Sequence, residues 1–159
     1  VNDALETIRT TIFRQAMFAE YELLIHQIAE RGEGLTAERM TEEYARLVAA
    51  YYGPDLIVDE QVSAEWSRIP HFYRSYYVYQ YATGLIAAMA LSSPVLEGDE
   101  EARNRYVRFL SSGSAKDSLD LLRDAGVDLT TPAPYEAAFA VMEDYLDTLE
   151  AAIAGAGAA

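Results

Sequence analysis

Apolar residues along this chain recur at helical spacing almost from end to end. Over Asp3 to Arg31, Ile8, Ile12, Phe13 and Met17 follow at intervals of one, four or five, and Tyr21, Leu24, Ile25 and Ile28 continue the stripe at three and four. The spacing predicts one long helix there, punctuated by Gly32 and Gly34, since glycine takes the left-handed conformation that ends a helix. Thr36 is the expected N-cap of a second helix marked by Met40, Tyr44, Leu47, Val48 and Tyr51. Gly53-Pro54 stops it.

Residues 55–70 are the least regular, with a short apolar run Leu56-Ile57-Val58 and room for a turn or two of helix over Val62 to Arg68. Pro70 suits the first turn of a third helix, where its missing N–H is no loss. That helix is predicted through Tyr79 and Tyr81 to about Leu91, with Ser93-Pro94 ending it. Asp99 to Leu110 reads as a fourth helix, broken by Ser111-Ser112-Gly113. Ser114 is the expected cap of a fifth that closes at Ala125-Gly126. After the turn at Asp128-Leu129-Thr130-Thr131-Pro132, a last helix is predicted from Ala133 to Ile153, with Phe139, Met142, Tyr145 and Leu149 as its inner stripe. No segment has a period of two. The expected fold is therefore all-α, a multi-helix bundle forming a single helical domain over 1–153, with 154–159 a disordered tail.

Composition narrows the function classes. The chain has 159 residues and no cysteine, which excludes disulfides, thiolate metal sites and a cysteine nucleophile. Its 26 acids against 12 bases give a net charge of -14, and Lys116 is the single lysine. Nucleic acid is an unsuitable partner for such a surface. The acidity favours solubility and also suits a high-salt habitat. No apolar run approaches the roughly 20 residues that cross a bilayer. Val1-Asn2-Asp3-Ala4 opens directly into an amphipathic pattern with no signal peptide, so a soluble cytoplasmic protein is expected, with no membrane partner.

Candidate chemistry is sparse. The histidines, His26 and His71, stand 45 positions apart, so there is no H-E-x-x-H zinc pair, and no G-x-S-x-G elbow is present. The unusual segment is His71-Phe72-Tyr73-Arg74-Ser75-Tyr76-Tyr77-Val78-Tyr79-Gln80-Tyr81, which holds five of the twelve tyrosines. On one helix those tyrosines would spread around the axis, some packing inward and some facing a cavity or solvent. Phenol hydroxyls and an imidazole can donate hydrogen bonds to a developing oxyanion, although core aromatics with satisfied hydroxyls are the commoner use. His26, between Ile25 and Gln27, reads as a boundary histidine. Glu20 and Glu22 project to different sides of the first helix, and Glu20, among aromatics, is expected to pair with Arg14 or Gln15.

Three stretches carry a resemblance. Phe13-Arg14-Gln15-Ala16-Met17-Phe18-Ala19-Glu20-Tyr21-Glu22 resembles the F-R-Q-x-x-F-A-E-[FY]-E stretch of oligoendopeptidase F. Ile69-Pro70-His71-Phe72-Tyr73, then Tyr76-Tyr77-Val78-Tyr79-Gln80-Tyr81-Ala82-Thr83-Gly84, is similar to that family's C-terminal signature. Leu110-Ser111-Ser112-Gly113-Ser114 and Ala125-Gly126-Val127-Asp128-Leu129-Thr130-Thr131-Pro132 follow in order, so the likeness spans about residues 8 to 150. It implies the C-terminal portion of the clamshell-like catalytic domain of a thimet-oligopeptidase-like zinc metalloendopeptidase, which cleaves short peptides in a deep channel. The family's H-E-x-x-H zinc segment would lie outside this chain. The chain alone is then expected to be inactive and to bind no zinc itself. The resemblance implies catalytic roles for His71, Tyr76 and Tyr79 as donors to the scissile carbonyl, with Tyr73 and Tyr77 binding substrate. The short interval from His71 to Tyr76 leaves Tyr73 or Tyr77 as an alternative holder of one donor role. Expected partners are short peptides, the missing zinc-binding part, and a second copy of the chain. The alternative is a non-catalytic helical binding or structural domain related to such peptidases.

Overall fold

The computed structural model describes residues 1–156. Among these there is no strand, and the elements are helices and short turns, so the all-α expectation holds. The helices are α1 (Asn2–Ile8), α2 (Arg14–Glu30), α3 (Ala37–Tyr52), α4 (Glu60–Ser63), α5 (Tyr79–Leu96), α6 (Glu100–Ser111), α7 (Ser118–Asp124) and α8 (Ala133–Ala156). A wider π turn over Arg9–Phe13 runs directly between α1 and α2. The side chain of Gln15 donates to the carbonyl of Thr10 at 3.3 Å, inside the region that this turn disturbs. Residues 154–156 belong to α8, and the remainder of the expected tail lies outside the described residues.

The chain groups into two compact units, 9–82 and 1–8 with 83–159. In the first, α2 and α3 pack their apolar stripes together. Met17, Phe18, Tyr21 and Ile25 meet Tyr44, Leu47 and Val48, and Ile69 and Val78 close the core. Thr36 caps α3 as expected, its hydroxyl accepting from the Arg39 N–H at 3.2 Å. In the second unit α1 packs on α8, and Leu91, Ala125 and Val127 form a small core flanked by Tyr106, Phe109 and Leu122.

Three helix boundaries and one inner face differ from the sequence expectation. The helix predicted from Pro70 does not form as one piece. Pro70–Tyr73 is a single 3-10 turn, Arg74 is extended, Tyr76 is left-handed at φ 53°, and regular helix starts at Tyr79. The cause is tertiary. Phe72 packs edge-on against Phe18 and Tyr21, and Val78 is fully buried in the same core. Six helical residues turn through about 240°, so an unbroken helix would not aim both side chains into this one core.

The other end of α5 passes Pro94 and stops at Leu96. A proline near the last turn forfeits only one ladder bond, and the N–H groups of Glu97 and Asp99 still close onto Ser93 and Pro94 carbonyls. The fifth helix starts at Ser118, not after Ser114. Gly113 is left-handed, and the Ala115 N–H closes a turn onto Ser112. On α8, Phe139 is exposed. The buried small residue beside it, Ala138, sets the inner face, with Met142, Tyr145 and Leu149 half-buried.

Candidate functional site

The segment 70–81 is anchored from within and exposed without. Phe72 and Val78 hold it to the core, while Tyr73, Tyr76, Tyr77, Tyr79 and Tyr81 stand at or beyond the surface. Breaking the helix at Arg74 lets the chain turn back, so that His71 meets residues from the start of α5. The His71 ring lies nearly parallel to Tyr77, with centroids 5.8 Å apart, and edge-on to Tyr81 at 5.7 Å. Tyr77 and Tyr81 are themselves edge-on at 5.5 Å. The Tyr81 hydroxyl lies 3.3 Å from His71 Nε2. One imidazole and two phenols thus form a half-exposed triangle of rings whose edges carry polar hydrogens.

Of the residues named from the sequence, Tyr77 joins His71 in this cluster, and Tyr81 completes it. Tyr81 was not singled out, because its role depends on the break before α5. Tyr73 donates its hydroxyl to the Ser67 carbonyl at 2.9 Å and is 71% exposed. Tyr79 is the first residue of α5 and is exposed. Tyr76 takes a different neighbourhood. Its backbone N–H donates to the Glu22 carboxylate at 2.6 Å, and its ring lies 4.7 Å from that of His26. His26 Nδ1 in turn lies 2.7 Å from the Glu22 carbonyl.

Glu22 is the residue that sequence reasoning missed. Only 1% exposed, it is the buried acid of α2, whereas Glu20, the acid expected to matter, accepts from Tyr51 at 2.8 Å at the surface. A signal was present, since Glu22 is in phase with the buried Phe18 and Ile25 at intervals of four and three. Arg14 does not pair with Glu20. It donates to Glu65 at 2.5 Å, and Glu65 also accepts from Tyr44 at 2.8 Å and from Arg68. Burial pushes the Glu65 carboxyl up, but the Tyr44 and Arg14 hydrogen bonds outweigh it and hold the group below the ordinary carboxylate range. Burial, with the bond to Glu65 second, pushes the Tyr44 phenol well above its ordinary value.

Zinc does not fit the donors present. Among the described residues no three histidine, aspartate or glutamate side chains converge to hold a metal ion. His26 engages the Glu22 carbonyl through Nδ1, and His71 engages Tyr81 through Nε2. Among the described residues no helix is long and apolar enough to cross a membrane.

Comparison with known proteins identifies the family. The profile of peptidase family M3 matches residues 2–141. The chain is 51% identical over 150 residues to oligopeptidase PepF of Bacillus subtilis, covering 94% of this chain and 22% of that protein. It is 43% identical over 132 residues to an oligoendopeptidase F homolog of Borreliella burgdorferi, covering 83% and 22%. The crystal structure of oligoendopeptidase-F from Enterococcus faecium superposes with a TM-score of 0.92 at 41% identity, over 96% of this chain and 29% of that one. The chain therefore spans about a quarter of the length of the relatives it matches.

Proposed function

Because this chain belongs to peptidase family M3 and is oligoendopeptidase F-like, we propose that it is the substrate-holding part of an oligopeptide-cleaving zinc metalloendopeptidase. The observation that carries this reading is the half-exposed cluster of His71, Tyr77 and Tyr81 at the start of α5. Core tyrosines are satisfied internally, but this group presents donors at a surface, where a peptide carbonyl can reach them. His71, Tyr76 and Tyr79 supply hydrogen bonds to the scissile carbonyl, and these strengthen as its oxygen gains charge on the way to the tetrahedral intermediate. Tyr73 and Tyr77 lie along the bound peptide. Tyr81 holds the His71 ring, so that the imidazole meets the carbonyl without first having to be ordered.

The zinc of such a peptidase would be held by residues beyond this chain, and the chain alone would not cleave. Its partners are short peptides and the remaining part of the enzyme, in a cytoplasmic setting. The test is to introduce His71→Ala, Tyr76→Phe and Tyr79→Phe into the complete peptidase. Losing one oxyanion donor is expected to lower kcat by roughly 10²–10³, with KM little changed. Full kcat in all three variants would overturn the reading and leave a helical binding or structural domain.

A further inference from the structure

Glu22 is a buried carboxylate that the proposed chemistry does not use. It is 1% exposed, and among the described residues the donor its side chain meets is the backbone N–H of Tyr76, at 2.6 Å. Burying a carboxylate is unfavourable unless hydrogen bonds compensate, so this contact is one the fold has to keep. Tyr76 needs the contact as well. It is the non-glycine residue with positive φ among the described residues, at 53°, a conformation that tyrosine seldom adopts unless its surroundings impose it. The same helical turn supplies the second hold. A carbonyl can only accept, so His26 Nδ1 carries the proton it gives to the Glu22 carbonyl at 2.7 Å. That bond fixes the imidazole plane, and the Tyr76 ring lies against it at 4.7 Å with 35° between planes.

We infer that Glu22 and His26 are positioning residues: the carboxylate pins the backbone of Tyr76 in its left-handed conformation, and the imidazole fixes the direction of its phenol. Neither touches the substrate. Both act through Tyr76, so the inference rests on the reading in which that phenol meets the scissile carbonyl. The geometry explains why α2 carries an acid where its neighbours in the stripe are apolar. It also explains how a segment without glycine at its bend keeps one conformation.

The test has a structural and a kinetic arm. In the 159-residue chain, the Tyr76 amide proton should resonate well downfield of ordinary amides, as a short bond to a carboxylate requires. An ordinary shift would sink the latch without any variant. Glu22→Leu fills the space but offers no acceptor, whereas Glu22→Gln keeps one. The leucine variant should release the Tyr76 amide to hydrogen exchange by at least about tenfold while the Tyr44 and Leu47 amides stay protected, and glutamine should restore most of the protection. A Tyr76 amide as protected as before would refute the pinning role. In the complete peptidase, Glu22→Leu and His26→Leu should each lower kcat on the order of 10-fold to 100-fold with KM nearly unchanged, and Glu22→Gln should recover most of the loss. If Tyr76→Phe lowers kcat but Glu22→Leu does not, the inference fails and the donor reading stands. If Tyr76→Phe is harmless while the amide shift and exchange behave as expected, the donor reading of Tyr76 fails and the latch is a structural feature only.

Discussion

Two groups of tyrosines in residues 9–82 show how one side chain serves two ends. Tyr21 and Tyr44 lie on the facing stripes of α2 and α3 and are 0% exposed. Their rings meet edge-on at 5.1 Å, and their hydroxyls donate inward, Tyr21 to the Met40 carbonyl at 3.2 Å and Tyr44 to Glu65. Tyr77 and Tyr81, at the start of α5, are 47% and 40% exposed and lean on His71. The difference lies in what surrounds each hydroxyl. An inward phenol has an internal acceptor and becomes part of the core, whereas an outward one holds its ring in a cluster and offers its polar edge to something else.

The comparison breaks most sharply on stability. Truncating a buried aromatic costs its transfer energy and leaves a cavity, so Tyr44→Ala should destabilise the chain by about 3–5 kcal/mol. Tyr77→Ala should stay within about 1 kcal/mol, the size of a surface aromatic pair. Urea unfolding followed by circular dichroism measures both. Comparable losses would mean that the cluster around His71 is core after all.

A smaller effect separates the ring of Tyr44 from its hydroxyl. Glu65 gathers Tyr44, Arg14 and Arg68, so Glu65→Ala strands a buried phenol and a guanidinium and should cost about 1–3 kcal/mol. The pH dependence has a definite sign. The folded carboxyl ionises at lower pH than the unfolded one, so its contribution is fully present above the ordinary carboxylate range. It is lost as pH falls through the depressed folded value. Parent and variant should therefore converge in stability under acid. A gap that stays constant on acidification would show that the loss comes from packing and not from the ionised group.

Where local pattern and tertiary demand agreed, the fold was legible in the residues. The stripe at Met17, Phe18, Tyr21 and Ile25 found its partner on α3, and the Thr36 cap formed as expected. The misses share a cause. Phe72 and Val78 are each apolar, Val78 buried and Phe72 half-buried against the same core, and nothing in a 3.6-residue period says that the chain must break so that both can reach it. That break makes the candidate site. It frees Tyr77 and Tyr81 to meet His71 and turns Tyr76 toward α2. The resemblance pointed to this segment and to His71, but the companion Tyr81 and the buried Glu22 emerge only from the packed structure. Charge was a poor guide, since of two acids two positions apart the one among aromatics in sequence is at the surface.

Tyr51 lies between the two extremes and gives the finest test of the contrast. It is 38% exposed on α3, nearly as much as Tyr81, yet its hydroxyl donates to a partner within the fold, Glu20 at 2.8 Å. Burial first, and the bond to an anion second, push its phenol up to about 12. A raised folded value means that the neutral, hydrogen-bonded form contributes stability fully below the ordinary phenol range, and that this contribution is lost as pH climbs toward about 12. The phenolate absorbance of the parent minus that of Tyr51→Phe isolates one titration step, expected near pH 12. In a Glu20→Gln background the acceptor remains but its charge is gone, so the step should move down while staying above the ordinary phenol value, because burial is the larger cause. A step that returns fully to the ordinary value would make the anion, and not burial, the dominant influence. The line between inward and outward tyrosines would then be drawn by charge partners and not by depth.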